Sequence, residues 1–380
     1  MSEFKNLSSG WKVVRLDKVA PLQRGYDLPV DNIKEGLYPV VYSNGILKFH
    51  NEFKAKAPGV ITGRSGTIGK VIYVEKDYWP HNTSLWVTNF CGNNPKFIYY
   101  MYINLNLIRF SAGSGVPTLN RNDIHLQKIL LPPLDEQKKI AEILSTWDEA
   151  INLTINLIES KKQFKKALMQ NLLTAKVRFP EFKDEWIEVT IGELFEFKKG
   201  QGLSKEMLDT NGKFECVLYG ELYTTYDEII ENVKSRTNFQ GSIKSKFDDI
   251  LIPSSTTTGS IDIAIAAVIL KNDVLLGGDI NILRKKRNNI YGKFVAYCIT
   301  NIKNKELSSY AQGTTIIHLY AKDFKDMKIK LPNLKEQQKI AEVLTACDDE
   351  INLLNLKLEN LKKQKQGLMQ KLLSGKVRAK

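Results

Sequence analysis

Gly63 to Val71 reads GRSGTIGKV, and a glycine-rich loop ending in Gly-Lys invites a test for phosphate chemistry. A phosphate loop needs a glycine five residues before the Gly-Lys pair and Ser or Thr after it, so that loop amides cradle phosphate and a hydroxyl reaches magnesium. Here Arg64 stands five before Gly69, and Val71 follows Lys70. The segment is expected to be a strand–turn–strand instead. No glycine fingerprint opens a helix in the manner of an S-adenosylmethionine or NAD site. Glu196-Phe197-Lys198, downstream of Asp184, has the acid-x-lysine spacing of some nucleases, but the matching Leu22-Gln23-Arg24 lacks the acid. His50, His81, His125 and His318 are not paired at metal-ligand spacing. Cys91, Cys216, Cys298 and Cys347 never form C-x-x-C, which argues against zinc and a disulfide framework and fits a reducing cytoplasm. No Ser-His-Asp or Cys-His arrangement stands out. The expectation is a reader with no catalytic residues, no metal and no cofactor of its own.

The remaining chemistry is recognition. A net charge of +13 and a pI near 9.3 suit a polyanionic partner, because Lys and Arg that neutralise phosphates release condensed counterions. Reading a base sequence needs donors and acceptors at base edges as well as positive charge near phosphate. Turn residues on a sheet supply both. In the first half the candidates are Thr62, Arg64, Ser65 and Lys70, with Thr118, Asn120 and Arg121. In the second half they are Ser254, Ser255, Thr256 and Thr257, with His318 and Tyr320; Arg284, which opens the charge run RKKR, is a candidate phosphate contact. Each of these equally fits a plain turn former or a solvated charge.

Elements that could position such turns are visible in an internal repeat. Leu131 to Phe179 and Leu331 to Ala379 align without a gap at a constant offset of 200 residues, about half of the positions being identical. Each copy opens with proline (Pro132 and Pro133, or Pro332), followed by acidic residues and closed by Lys and Arg, the polarity of a helix from start to end. Gly375 is placed to cap the second copy. A stripe alternating by four and three residues runs through each. It comprises Ile140, Leu144, Trp147, Ile151, Thr154, Ile158, Lys161, Lys165, Leu168 and Leu172 in the first copy. In the second it comprises Ile340, Leu344, Cys347, Ile351, Leu354, Leu358, Leu361, Lys365, Leu368 and Leu372. This is a coiled-coil pattern, weaker in the middle of the first copy. Neither helix hides its stripe alone, so the two are expected to pair. About 40 helical residues rise roughly 60 Å. The segment between them starts where one ends and finishes where the other begins, so antiparallel pairing is the economical solution. A bare dimerisation device would use the same pattern.

The rest divides into two heads, giving boundaries of 1–133 for the first head, 134–179 for the first spacer helix, 180–331 for the second head and 332–380 for the second spacer helix. The heads share only their edges. Trp11-Lys-Val-Val-Arg-Leu parallels Trp186-Ile-Glu-Val-Thr-Ile, and GSGVPTLNRNDI (Gly113 to Ile124) parallels GTTIIHLYAKDF (Gly313 to Phe324). Between the edges lie short β-branched runs broken by Gly, Asn and Ser, which predict strands and turns. Helices are expected over Pro95 to Arg109 and Gly292 to Leu307. The fold class expected is α+β: two α/β heads with twisted, largely antiparallel sheets, separated by an antiparallel coiled coil, with an internal pseudo-two-fold. Two different heads on similar frames suggest a target in two parts. No apolar run approaches a membrane span, and MSEFKNLSSGWK has no apolar stretch fit for a signal peptide, so a cytoplasmic protein without membrane association is expected.

The duplicated L-P-x-L-x-E-Q-x-x-I-A-x-x-L, with D-x-x-I and a distal L-M-Q-x-L-L-[TS]-[AG]-K-V-R, resembles the repeated regions of the specificity subunit of type I restriction–modification enzymes, over the whole chain. The second copy departs in Asn333, Lys335 and a KVRA ending. The resemblance implies that each head is a target recognition domain reading one half of an asymmetric bipartite site in double-stranded DNA. It implies that the helices set the number of unspecified bases between the halves. Heads about one turn apart would address successive major grooves, ~34–36 Å centre to centre. The resemblance also implies two modification (methyltransferase) subunits docked on the helices and carrying S-adenosylmethionine, with Leu153, Leu157 and Phe164 as candidate docking residues. Two restriction subunits would supply ATP-driven translocation and Mg-dependent cleavage. The alternatives are the recognition subunit of a related two-subunit nuclease–methyltransferase (type IIB-like) and a self-contained nucleic-acid enzyme.

Overall fold

The computed structural model describes residues 9–112, 115–241 and 243–379. Gly113 and Ser114, which open the exit motif of the first head, lie outside the described residues, as do residues 1–8, whose composition bears on the leader expectation. The contacts divide the chain into two compact units, Met1–Asn156 with Asn355–Lys380, and Leu157–Leu354. Each therefore combines one head with part of both long helices, Leu134–Leu172 and Leu334–Leu373.

In the first unit, Gly59–Gly63 is a β-branched run buried along its whole length, as suits a central strand. It pairs antiparallel with Val71–Val74 and Ser84–Val87, and Leu22–Arg24 completes the sheet. A smaller sheet joins Gly45–His50, Tyr38–Tyr42 and Trp79–Pro80, the last pair parallel. Entrance and exit of the head meet where Lys12–Arg15 pairs antiparallel with Lys128–Leu131. The second unit repeats the plan with a larger sheet ordered Phe195–Lys199, Ile280–Lys285, Asp249–Pro253, Ala267–Ile269 and Ile229–Ile230, again largely antiparallel. Its entrance and exit join through Ile187–Thr190 and Lys328–Leu331.

Two helix expectations need correction. The helix begun at Pro95 ends at Asn104, because Asn106 adopts a left-handed backbone (φ 49°) and a separate short turn, Leu107–Phe110, follows. The helix begun at Gly292 ends at Asn301, and Asn304–Ser309 is a second helix. The amides of Ile302 and Lys303 both donate to the Cys298 carbonyl, which widens the last turn and redirects the chain.

Within each unit the long helices run antiparallel. In the first, Asp148 pairs with Lys365 and Glu136 with Arg378; in the second, Lys161, Lys165 and Arg178 pair with Glu350, Asp348 and Glu336. Ile140, Leu144, Ile158, Leu172, Ile340, Leu344, Ile351, Leu358 and Leu372 are buried, while Leu153, Leu353 and Leu356 outside the stripe are exposed. Each core then includes a head helix: Ile140 and Leu144 lie with Phe97, Tyr100 and Leu372 in one unit, Ile340 and Leu344 with Phe294, Tyr297 and Leu172 in the other. Asn333, where the other copy has proline, caps its helix by accepting from the Glu336 amide at 3.0 Å.

The repeated Glu-Gln pair explains how the heads are seated. Arg378 donates to both carboxylate oxygens of Glu136 at 2.6 and 2.7 Å, and the Trp11 indole adds a bond at 2.9 Å. Arg178 makes the same fork to Glu336 at 2.8 and 2.7 Å. Desolvation raises the Glu136 pKa, but the bonds from Arg378 and Trp11 outweigh it and hold the carboxyl below its usual range. Gln137 accepts from the Asn94 amide, beside the start of the head helix Pro95–Asn104, and Gln337 accepts from the Tyr291 amide, beside the start of Gly292–Asn301, both at 2.9 Å.

Candidate nucleic-acid interface

The two candidate groups of each head, far apart in sequence, are brought together by strand pairing. In the first head, Leu119 donates to the Arg64 carbonyl at 2.8 Å, Gly66 to that of Pro117 at 3.0 Å, and Ser65 bridges Thr118. In the second, Leu319 donates to the Ser254 carbonyl at 3.1 Å, and Ser255–Thr256 pairs antiparallel with Ile317–His318. The same edge-to-exit junction thus forms on both frames.

Side-chain placement sorts the first-head candidates. Thr118, Asn120, Arg121 and Lys70 are exposed, and Arg64 and Ser65 are half-buried. Asn120 caps the short helix Arg121–His125 through the Asn122 amide, which leaves Arg121 at its first turn. Lys70 reaches back to the Asn44 carbonyl at 2.8 Å. Thr62 is internal, its hydroxyl donating to the Lys70 carbonyl at 3.0 Å. GRSGTIGKV joins two antiparallel strands, so no helix N-terminus stands ready for a phosphate.

In the second head the hydroxyl run is corrected. Ser254, Ser255 and Thr256 are buried, because the strand Asp249–Pro253 carries them inward, and Thr257 alone of the four is exposed. Arg284 is also corrected: its guanidinium forks onto the buried Asp249 at 2.9 and 2.6 Å, so its charge is already matched. Lys285 and Lys286 of the same run engage Asp248 and the Gly192 carbonyl. His318 and Tyr320 stack with ring centroids 5.7 Å apart and planes 8° from parallel, and Tyr320 is exposed.

Sequence reading missed a polar cluster beside Arg64. The Thr83 carbonyl accepts from the Arg64 amide at 2.8 Å, and the Arg64 guanidinium donates to the Asn82 carbonyl at 3.4 Å. Asn82 bonds Asp27, which also takes Arg24 at 3.0 Å. The signal in sequence was only a polar HNTS before a strand; pairing places it next to residues 24–27 and 64. His81 and His125 are held neutral-leaning: desolvation lowers both pKa values, and His125 accepts from the Leu22 amide at 2.9 Å. Asp184 bonds Asn333 and Glu196 pairs with Lys198, so the nuclease-like acids engage separate partners. No group of three or more His, Cys, Asp or Glu able to hold a metal occurs among the described residues, and none of their helices is long and apolar enough to cross a membrane.

The chain is 29% identical over 331 residues to a putative type I restriction enzyme MjaX specificity subunit of Methanocaldococcus jannaschii, covering 82% of this chain and 76% of that one. A type I restriction enzyme MjaVIII specificity subunit of the same organism is 28% identical over 286 residues, with coverages of 71% and 67%. The fold is similar to a crystal structure of a type I restriction–modification S subunit from M. genitalium, with TM-score 0.64 at 19% identity over 98% of this chain and 99% of that one. A chain from a study of type I complex assembly and conformational transition gives TM-score 0.62 at 17% identity, over 98% and 100%. Residues 8–160 and 183–363, one stretch for each head with much of its helix, match the model of the type I restriction modification DNA specificity domain, and the chain belongs to that family.

Proposed function

We propose that the chain is the sequence-specific DNA-binding subunit of a type I restriction–modification complex. Each head reads one half of a bipartite, asymmetric site, and the long helices set the gap between the halves. The observation that carries this reading is the repeated seat: the same Arg–Glu fork and Gln–amide bond hold two heads whose exit-edge candidates differ, Thr118 and Asn120 in one and His318 and Tyr320 in the other. Two modification subunits would dock on the exposed helix residues Leu153, Leu157 and Phe164 and carry S-adenosylmethionine. Two restriction subunits would bring ATP and magnesium chemistry. The chain itself would supply address and assembly in the cytoplasm, without catalysis. The names of its relatives favour this over a partner that fuses nuclease and methyltransferase.

Methylome sequencing of cells with and without this gene tests the reading. A split adenine motif that disappears with the gene is expected, and replacing residues 1–133 by another reader head should change one half only. An unchanged methylome would refute the assignment. Single substitutions refine it. Arg121→Ala, at an exposed candidate in the first turn of its short helix, should weaken binding to all duplexes and reduce the salt slope by about one if the guanidinium meets a phosphate. Arg64→Ala should instead relax one half-site, at a cost of about 1–3 kcal/mol if the guanidinium reads a base. Fluorescence anisotropy titrations across a salt series separate the two behaviours.

A further inference from the structure

Each long helix carries lysine where its stripe calls for an apolar residue: Lys161, paired with Glu350, and Lys165 in the first, and Lys365 in the second. The side chains of Lys165 and Lys365 are only 12% and 15% exposed. Each meets an aspartate of the other helix: Lys165 bonds Asp348 and Lys365 bonds Asp148. The second oxygen of each aspartate accepts a tyrosine hydroxyl from the head helix of the same unit, Tyr297 to Asp348 at 2.6 Å and Tyr100 to Asp148 at 2.7 Å. Each ammonium also lies over the ring of that tyrosine, at 5.3 and 5.2 Å. One carboxylate in each unit thus ties together both long helices and the head. In the second unit Glu228 adds a further carboxylate 3.6 Å from Lys165 and is itself bonded by Asn301.

An apolar stripe by itself specifies register poorly, because it repeats every seven residues. The two knots do not repeat. Sliding the antiparallel pair by one heptad would place Ala341 or Asn355 opposite Lys165, and Ala141 or Ile155 opposite Lys365. No carboxylate is directly opposite either lysine in either direction. A buried ammonium stripped of its partner is strongly penalised, and a polar residue in an apolar seam is the best-attested device for fixing register.

We propose that the Lys165–Asp348–Tyr297 and Lys365–Asp148–Tyr100 knots are the spacing-determining residues of this protein: positioning residues that hold helix register and head seating together, and so restrict the gap between half-sites to one value. The proposal rests on the reading of the helices as a ruler. The test uses the full chain expressed with its neighbouring modification gene and without the restriction gene, read by methylome sequencing. The wild-type chain is expected to methylate at one gap. With Asp148→Asn and Asp348→Asn together, the same two halves should become methylated also at gaps about three base pairs longer or shorter, the spacing of a one-heptad slip, at a fraction clearly above that of wild type. Methylation confined to the original gap would overturn the proposal, since a merely stabilising role moves yield and not spacing. Should the Asn pair abolish methylation, Tyr100→Phe with Tyr297→Phe decides, because it keeps both ion pairs and both rings. A relaxation of about threefold is then expected, and a single unchanged gap overturns the proposal. A wild-type chain that methylates its halves at many gaps would overturn the ruler, and the proposal with it, a result distinct from failure of the variants alone.

Discussion

A chain with seven residues added to each long helix should recognise the same two half-sites separated by about three more base pairs. The arithmetic is that a heptad adds ~10.5 Å of helix, at 1.5 Å per residue, against ~3.4 Å per base pair of a duplex that turns once in 10–10.5 base pairs. The insertion points follow from the structure. The compact units divide between Asn156 and Leu157 on one helix and between Leu354 and Asn355 on the other, so heptads placed there leave the seats, knots and cores of both units intact. A whole heptad keeps the four-three stripe in phase, whereas four or five residues would rotate it. Lengthening one helix alone should cost activity, because Lys165–Asp348 and Lys365–Asp148 could no longer both form. The gap and the flanking bases are read together in the methylated motif. Altered half-site bases, or an unaltered gap, would show that the helices do not measure distance.

Leu344→Ala should destabilise the second unit by about 2–5 kcal/mol, the range for removing a large aliphatic side chain from a core that cannot collapse. Leu344 is wholly buried and shares its core with Ile340, Phe294, Leu172 and the head helix residue Tyr297, so the loss falls on the helix pairing and the head seat together. Leu353→Ala, on the exposed face of the same helix, should stay within about 0.5 kcal/mol of wild type. For a unit of this size each kcal/mol lowers Tm by about 2–4 °C, so thermal denaturation resolves the pair. The same Leu353→Ala chain then serves to probe partner docking, since any loss of complex formation would arise without loss of fold. Equal destabilisation by both substitutions would mean that the stripe is not the packing surface.

The long helices were legible because their information is local and redundant. A stripe repeated over 39 or 40 residues, opened by Pro and acid and closed by Lys and Arg, admits few other structures. Antiparallel pairing was legible from connectivity, and the head edges from their duplication. The heads' helices were legible at their starts, but not at their ends, where Asn106 and the Cys298 carbonyl redirect the chain.

The exposure of the candidate edge residues was legible only in part. Thr118, Asn120 and Arg121 stand exposed, but Ser254, Ser255 and Thr256, which look like a polar turn, ride inward behind a buried strand. Arg284 looked free because its partner Asp249 lies on the neighbouring strand, and Arg24, Asp27 and Asn82 gather beside Arg64 only through sheet pairing. The lysines in the stripe looked like flaws of the pattern, and each proves to have a carboxylate waiting on the opposite helix. By itself the sequence determined the plan of two unlike heads on a duplicated helical frame, since that plan is written in spacing along one chain. Only the tertiary structure decided which charges are spent inside the fold and which face outward, because a carboxylate that neutralises a lysine can come from 183 or 217 residues away, and burial depends on what the whole chain packs against.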